Sequence, residues 1–463
     1  MLRTHTCGQL NKDELDKEVT LCGWVGARRD HGKIIFIDIR DRYGLTQLVF
    51  IKSVAKEAYA EAEKLKNEDV IRIEGKVGTR PKGMINPKLS TGEVEVAVTG
   101  LFLLNRSEDV PFLVEDEVDA SEEVRLAHRF LDLRRRPFTE NLVIRHKATS
   151  AMREFLNAKG FLDIETPFLT KSTPEGARDF LVPSRLNPSC FYALPQSPQL
   201  FKQILMVSGM DRYYQIVRCF RDEDLRRDRQ PEFTQVDLEM SFVEQSDIYE
   251  LIEGLMARVF KDVLGLELAT PFPRMIHAEA LQKYKSDKPD RGGDEKFRFL
   301  WVVDFPLFKY NDEEQRWDSE HHPFTAPREE DLSCLESDPA KVRSRSYDLV
   351  LNGQEIGSGS IRIHDLTLQK KIFSLLNISE EDAEQKFGFL LKALKFGAPP
   401  HGGFALGLDR LIATMTGCQS IRDVIAFPKT QKGSCPLTEA PSPVSDRQLK
   451  ELNIATLSNP KEA

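Results

Sequence analysis

The hydrophobic and polar positions of this chain change rhythm several times. Over residues 19–25, 33–39 and 45–51 apolar side chains alternate with polar ones, the two-residue period of half-buried strands. Residues 53–66 shift to helical spacing, with Ser53 placed as an N-cap. Residues 69–77 and 93–104 return to alternation. Three strands, a helix and two strands is the order of an OB-fold barrel, although the pattern alone fits other small β-barrels as well. Residues 105–123 are acidic and irregular, and predict a hinge between a first domain at 1–104 and a second at 124–463. In the second domain 143–159 is amphipathic and stops at Gly160, and 161–167 is a strand closed by Pro167.

The most charged stretch with strand periodicity is 218–241, two strands joined by a loop dense in arginine and aspartate. Alternation puts Phe233, Gln235, Asp237 and Glu239 on one face, with Thr234, Val236, Leu238 and Met240 behind. Arg221 and Glu223 are expected to share a face of the preceding strand. Charges on a buried sheet face are costly unless something charged pairs with them. Guanidinium forks suit phosphate or carboxylate, and Phe233 offers a flat face to a ring. A solvated hairpin laced with salt bridges accounts for the charges too. The aromatic residue set among the polar ones favours a nucleotide site.

This hairpin resembles the second signature motif of class II aminoacyl-tRNA synthetases. The likeness to bacterial-type aspartyl-tRNA synthetases runs from Thr6-Cys7-Gly8-Gln9-Leu10 to Ala440-Pro441-Ser442-Pro443-Val444, nearly the whole chain. The helix–strand–proline unit at 143–167 resembles the first motif, which builds the family's dimer interface, and Gly402-Gly403-Phe404-Ala405-Leu406-Gly407-Leu408-Asp409-Arg410 resembles the third. The implied fold class is α+β and multidomain: an N-terminal OB-fold barrel plus an antiparallel catalytic sheet flanked by helices. The implied protein is a cytoplasmic homodimer that activates L-aspartate with ATP, forms aspartyl-adenylate and transfers it to tRNA, with Mg2+ as cofactor. No convincing nucleophile–base pair stands in the sequence, which suits displacement at phosphorus by positioning and charge neutralisation.

The resemblance also assigns residues. Arg221 would hold the α-phosphate and the attacking carboxylate, and Phe233 would stack on adenine, with Asp222, Glu223 and Gln230 around the nucleotide. Arg410, the second catalytic arginine, would cover the other side of the base and reach the outer phosphates, beside Gly407, Leu408 and Asp409. Asp348 and Glu355 match the metal-binding carboxylates, Glu355 also facing ATP. For aspartate, Lys202 and Arg362 would take the side-chain carboxylate, Ser197 and Gln199 would face substrate, and Asp237 would hold Lys202. Glu175, in a lid loop, would bind the ammonium, and His321 and His322 would cap the pocket from a second loop. Glu355 and Arg362 are seven apart, so a regular strand would point them to opposite faces; a bulge is expected within 357–360. The family's inserted domain, expected near 285–297, is missing.

In the barrel, Phe36 and Gln47 match positions that stack on and read anticodon bases, with Arg29 and Glu93 as expected neighbours. His31 and Gly83 match members that charge both the aspartate and the asparagine tRNA, so tRNA(Asp), with tRNA(Asn) beside it, is the expected partner.

Composition narrows the rest. The net charge of -8 excludes a uniformly basic nucleic-acid binder, but local patches remain at Arg28-Arg29, Arg134-Arg135-Arg136 and Arg226-Arg227-Asp228-Arg229. The seven cysteines lack paired metal-ligand spacing, as expected of reduced thiols in a cytoplasm. No apolar run approaches the roughly 18 residues that a membrane helix needs, and the first residues lack the apolar core of a secretory signal.

Overall fold

The computed structural model describes residues 1–173 and 177–457. Strands β1 (Glu18–Asp30), β2 (Ile34–Asp41), β3 (Gly44–Ile51), β4 (Val70–Thr79) and β5 (Val94–Asn105) close into a barrel in the order β1-β2-β3-β5-β4. Alternation is the reason it closes: Val19, Leu21, Ile35, Ile37, Leu48, Ile71, Ile73 and Val96 all point into one apolar interior. The helix between β3 and β4, α1 (Lys56–Ala62), is shorter than expected and is capped at Ala55 without a side-chain bond. Ser53 is therefore not the cap. The Val54 and Ala55 amides instead fold back onto the Ile51 carbonyl, at 3.0 and 3.1 Å, which makes a turn before the helix can start.

The chain divides into two compact units, Met1–Thr139 and Glu140–Ala463. Residues 124–139, expected with the second domain, fall in the first unit. Helices α2 (Glu122–Ala127) and α3 (Arg129–Asp132) are tied there by charge. Buried Asp132 accepts from Arg125, Arg129 and Arg135, and Arg134 reaches Glu68 at 2.8 Å with its guanidinium 4.8 Å over Trp24.

Helix α4 (Arg136–Ala158) begins four residues before the second unit and ends ahead of the left-handed Gly160, φ +79, where a side chain would be strained. The following strand is only β6 (Leu162–Asp163), much less than the expected 161–167. Then come the hairpin β7 (Leu181–Pro183) and β8 (Phe191–Ala193), α5 (Gln199–Val207), β9 (Arg212–Phe220), β10 (Glu232–Ser241) and α6 (Gln245–Leu264). They are followed by β11 (Arg274–Ile276), α7 (His277–Tyr284), β12 (Phe299–Val303), and the hairpin β13 (Phe308–Asn311) and β14 (Arg316–Ser319). The chain continues through β15 (Ser346–Leu351), β16 (Gln354–Ile361), α8 (Leu366–Leu375), α9 (Glu380–Leu394), β17 (His401–Gly407) and α10 (Leu408–Thr416). Eight strands form one sheet in the order β11-β12-β15-β16-β17-β10-β9-β6, antiparallel except where β11 joins β12 and β6 joins β9.

One face of this sheet packs on α4, α6 and α10 through Val236, Leu238, Met240, Tyr347, Phe404 and Leu406. The other face carries Asp237 and Glu239, as the alternation in β10 requires. A single bulge aligns the rest. The ladder of β15 on β16 skips between Leu349–Gly357 and Val350–Glu355, so Ile356 is the extra residue. That is next to, not within, the expected 357–360 stretch, which pairs regularly with β17. The glycines have another job. A Cβ on Gly357 would lie 2.4 Å from the Phe404 ring, and one on Gly359 would lie 2.2 Å from the Gly403 carbonyl.

Gly403 is the tightest of these positions on the polar face, since a Cβ there would sit 1.9 Å from Glu239 Oε2. Gly403→Ala is expected to destabilise the protein by about 2 kcal/mol or more in denaturant unfolding. Gly100→Ala, whose nearest neighbours would be at 3.5 Å, is expected to be near neutral.

Candidate active site

Over the polar face of β10, β16 and β17 lies a cavity of about 470 Å³. Its walls include Arg221, Arg362 and Arg410, which come from the β9–β10 loop, the end of β16 and the start of α10. These three guanidinium groups therefore share one space.

Its floor is a buried quartet. Lys202, on α5, pairs with Asp237 and lies 3.3 Å from Glu239. Arg362 donates through Nε and Nη2 to the two oxygens of Glu239, at 2.9 and 3.2 Å. Its Nη1 donates to Ser360 Oγ and to His322 Nε2, both at 2.6 Å. Burial pushes the Asp237 carboxyl up against the pull of Lys202. Burial acts on Glu239 in the same sense, but Arg362 and Lys202 outweigh it and hold that carboxyl below the usual range. An ammonium has three N–H groups and a guanidinium five. After these bonds, Lys202 and Arg362 each keep at least one donor that no described residue takes.

The two histidines above the quartet behave oppositely. Arg362 can only donate, so His322 Nε2 accepts from it, while Nδ1 accepts from the Phe324 amide at 3.2 Å and lies 3.4 Å from Thr325 Oγ1. Burial, then the charges of Arg362 and His321, hold the His322 pKa well below its ordinary value. Burial alone would lower His321 as well, but Asp348, 3.2 Å from its Nε2, raises it instead.

The outer end of the cavity is ringed by paired charges. Arg229 bonds Glu223 at 3.2 Å, Arg410 lies 3.5 Å from Asp228, and Lys288 lies 3.0 Å from Glu355. Arg410 also donates to the Glu355 main-chain carbonyl at 3.0 Å. Burial would lift the Glu355 carboxyl, yet Lys288 and Arg410 keep it below the usual range. Arg221 pairs with no carboxylate among the described residues; its guanidinium lies 5.1 Å from the centre of the Phe233 ring and its buried Nε has no partner.

The sequence-derived candidates divide accordingly. Ser197, Gln199, Lys202, Arg221, Glu223, Gln230, Phe233, Asp237, His321, His322, Glu355, Arg362, Gly407, Asp409 and Arg410 all line the cavity. Asp222 does not; it lies beyond the end of β9, beside Arg178 at 3.7 Å. Arg221 and Glu223 also lie past β9, in the loop, so a shared strand face is not what brings them together. Leu408 turns into the hydrophobic core, away from the cavity. Asp409 reaches the wall, but its carboxylate is bound to the Thr234 amide at 2.8 Å and to Arg145 at 2.5 Å, an anchor for the start of α10. Gln230 is similarly engaged, clasping the Lys429 main chain at 2.7 and 3.1 Å. Asp348 stands behind His321 and is not part of the wall. Glu175 lies outside the described residues. Glu239, Ser360 and Lys288 had not been assigned a role; for Glu239 the signal was its place on the polar face of β10.

On the barrel, Phe36, Arg29 and Gln47 gather on one outward face. Arg29 bonds Asp38 with both Nη groups at 2.9 Å, and Gln47 donates to Glu95 at 2.8 Å. Glu93 instead pairs with Lys12 at 2.6 Å, so Glu95 is the acid beside Gln47. Glu93 lies just ahead of β5, which begins at Val94, whereas Glu95 is within the strand. His31 meets Phe36 edge-on at 5.7 Å, and Gly83 has φ +88 in an exposed loop.

The cavity over the sheet gathers three guanidinium groups, a setting for an anionic ligand, in a chain that also carries a closed five-stranded barrel. A family profile described as tRNA synthetases class II (D, K and N) matches residues 121–431, and one described as OB-fold nucleic acid binding domain matches 19–104. The chain belongs to the class II aminoacyl-tRNA synthetases. It is similar to a protein named aspartate--tRNA(Asp/Asn) ligase from Desulfatibacillum aliphaticivorans, 46% identical over 99% of this chain and 98% of that relative. A relative of the same name from Desulfosudis oleivorans is 47% identical over 98% and 97%. Their aligned spans, 588 and 581 residues, exceed the 463 residues here, so both carry positions that this chain lacks. Among solved structures, asparaginyl-tRNA synthetase from Pyrococcus horikoshii complexed with asparaginyl-adenylate superposes with a TM-score of 0.76 at 25% identity, over 93% of this chain and 99% of that one. Aspartyl-tRNA synthetase from Entamoeba histolytica gives 0.73 at 23%, over 92% and 91%.

Two outcomes follow for the floor. Lys202→Met leaves Asp237 and Glu239 short of a cation and is expected to cost about 3–5 kcal/mol of stability, with Asp237→Asn in the same chain recovering part of it. The unfolded chain protonates His322 near the ordinary value of 6.5 while the folded protein resists, so this residue costs stability as the pH falls below that value. His322→Asn is expected to lose less melting temperature than the parent between about pH 7.5 and about pH 5.5.

Proposed function

We propose that the protein is an aspartate–tRNA ligase that charges both tRNA(Asp) and tRNA(Asn). The observation that carries the amino-acid choice is the pair of uncommitted donors on Lys202 and Arg362 at the floor of the cavity. A carboxylate accepts from both. Asparagine would turn its amide N–H groups towards cations, and lysine would add a third positive charge. The asparagine enzyme shares the fold, so topology alone does not decide the substrate. The relatives named for both tRNAs, and His31 standing beside Phe36, support the relaxed tRNA choice.

In this reading aspartate enters with its side chain on Lys202 and Arg362, and Ser197 and Gln199 face its backbone end. Phe233 and Arg410 receive the adenine and turn the phosphates towards Arg221. An α-carboxylate oxygen of aspartate then forms a bond to the α-phosphorus, and the bond to the bridging oxygen of pyrophosphate breaks. Arg221, without an acidic partner among the described residues, is free to stabilise the charge that builds up at that phosphorus. A terminal ribose hydroxyl of tRNA next attacks the carbonyl carbon of the adenylate, its proton leaves, and AMP departs.

Among the described residues no three His, Cys, Asp or Glu side chains are grouped to hold a metal. Two carboxylates on neighbouring strands, Asp348 and Glu355, suit a hard cation that brings its own waters and phosphate oxygens. Magnesium held there would neutralise charge on the outer phosphates. We further propose a cytoplasmic homodimer joined through the segment that follows α4, where Leu162, Phe168 and Leu169 are exposed. The same reading places the missing family domain at 285–297, where the chain crosses from α7 to β12 directly.

ATP–pyrophosphate exchange is expected with aspartate and not with asparagine or lysine. Arg362→Gln is expected to lower kcat/KM for aspartate by about a thousandfold or more. The two tRNA transcripts are expected to be aspartylated with efficiencies within about tenfold of each other. A preference of about a hundredfold for tRNA(Asp) would reject the relaxed specificity and leave the aspartate assignment standing.

A further inference from the structure

We propose that Lys288 is a further phosphate-binding cation, reaching the outer phosphates of ATP from outside the three signature motifs; the inference rests on the nucleotide site proposed above. Lys288 lines the same cavity as Arg410, with its Nζ 3.0 Å from Glu355 Oε2, while Arg410 Nη1 lies 4.0 Å from the other oxygen of that carboxylate. Glu355 thus stands between two cations from different parts of the chain. Arg410 is paired with Asp228 in the same manner, so the two cations have equivalent settings. A triphosphate carries more negative charge than Arg221 and Arg410 can neutralise. A compact ammonium at the mouth supplies the point charge that a terminal phosphate accepts.

A plain surface ion pair would need no special backbone. Here the segment carrying Lys288 is fixed to the turn that precedes Glu355. Asp290 takes two bonds from Arg298, at 2.8 and 2.7 Å, and one from the Gly292 amide at 3.0 Å, and its pKa is pushed down to about 2. Asn352 accepts from the Arg298 amide at 2.8 Å and donates to the Lys296 carbonyl at 2.9 Å. Gly353, at φ +77, brings the turn so close that a Cβ would lie 3.2 Å from Asp290 Cβ. The crossing between α7 and β12 thereby sets the distance between Lys288 and Glu355. The lysine keeps the freedom of its own side chain, which is 39% exposed.

The test compares ATP with AMP, which lacks the outer phosphates, by calorimetric titration of the full chain with magnesium present. Lys288→Met is expected to weaken ATP binding by about tenfold and to change AMP binding by no more than about twofold, with Lys288→Arg recovering most of the loss. In exchange assays the KM for ATP should rise while that for aspartate stays put. Unchanged ATP affinity in Lys288→Met overturns the proposal. So does a parallel fall in AMP affinity, which would mean that the lysine only supports the pocket. Failure of the unmodified protein to exchange with aspartate would instead sink the functional reading, and the ATP-to-AMP contrast keeps the two failures apart.

Discussion

Everything in the catalytic unit is arranged around four charges that have left water together. Lys202, Asp237, Glu239 and Arg362 are each at most 2% exposed, and no one of them would be tolerable alone. They belong to α5, β10 and the end of β16, so the quartet forms only when those elements are docked in register. Gly403 has no side chain because Glu239 Oε2 occupies that volume. Ile356 bulges because Glu355 and Arg362 must open on the same cavity. Cancelling charge within the floor leaves the site nearly neutral and holds back two donors, so a ligand carboxylate completes a network instead of creating one.

Away from the floor the cavity becomes looser and more exposed. Its cations are paired with acids across 3.0–3.5 Å in half-exposed positions, where solvent screens the attraction and exchange for phosphate is inexpensive. Arg221 differs in resting against Phe233 with no acid of its own among the described residues. The gradient from a rigid, compensated interior to an exchangeable rim follows the two substrates: a small amino acid that must be chosen accurately, and a flexible polyanion that must enter and leave in pieces.

The crossing between α7 and β12 has a structural job as well. Asp290, Arg298 and Asn352 lace it to the β15–β16 turn. The relatives align over longer spans than this chain possesses, yet the sheet order and the cavity are complete without the extra positions.

Much of this was legible in the residues. Alternation in the barrel strands and in β10 follows from the two-sided geometry of a strand, so the inward residues and the polar face could be named before any coordinates. Most of the motif residues do meet in one cavity, because motif spacing encodes which strand and which face each side chain uses. Local cues failed where long-range contacts overrode them. The Ile51 carbonyl drew the chain into a turn and displaced Ser53 as a cap, Glu95 and not Glu93 faces Gln47, and Leu408 went to the core. The sequence by itself determined the strand faces, the types of chemical group and the family, since these depend on neighbours along the chain. Only the tertiary structure decided how charges were partnered, that Glu239 bridges Lys202 and Arg362, and that Lys288 stands beside Glu355. Those pairings join residues far apart in the chain, and their energies depend on distance and burial, which exist only once the chain is folded.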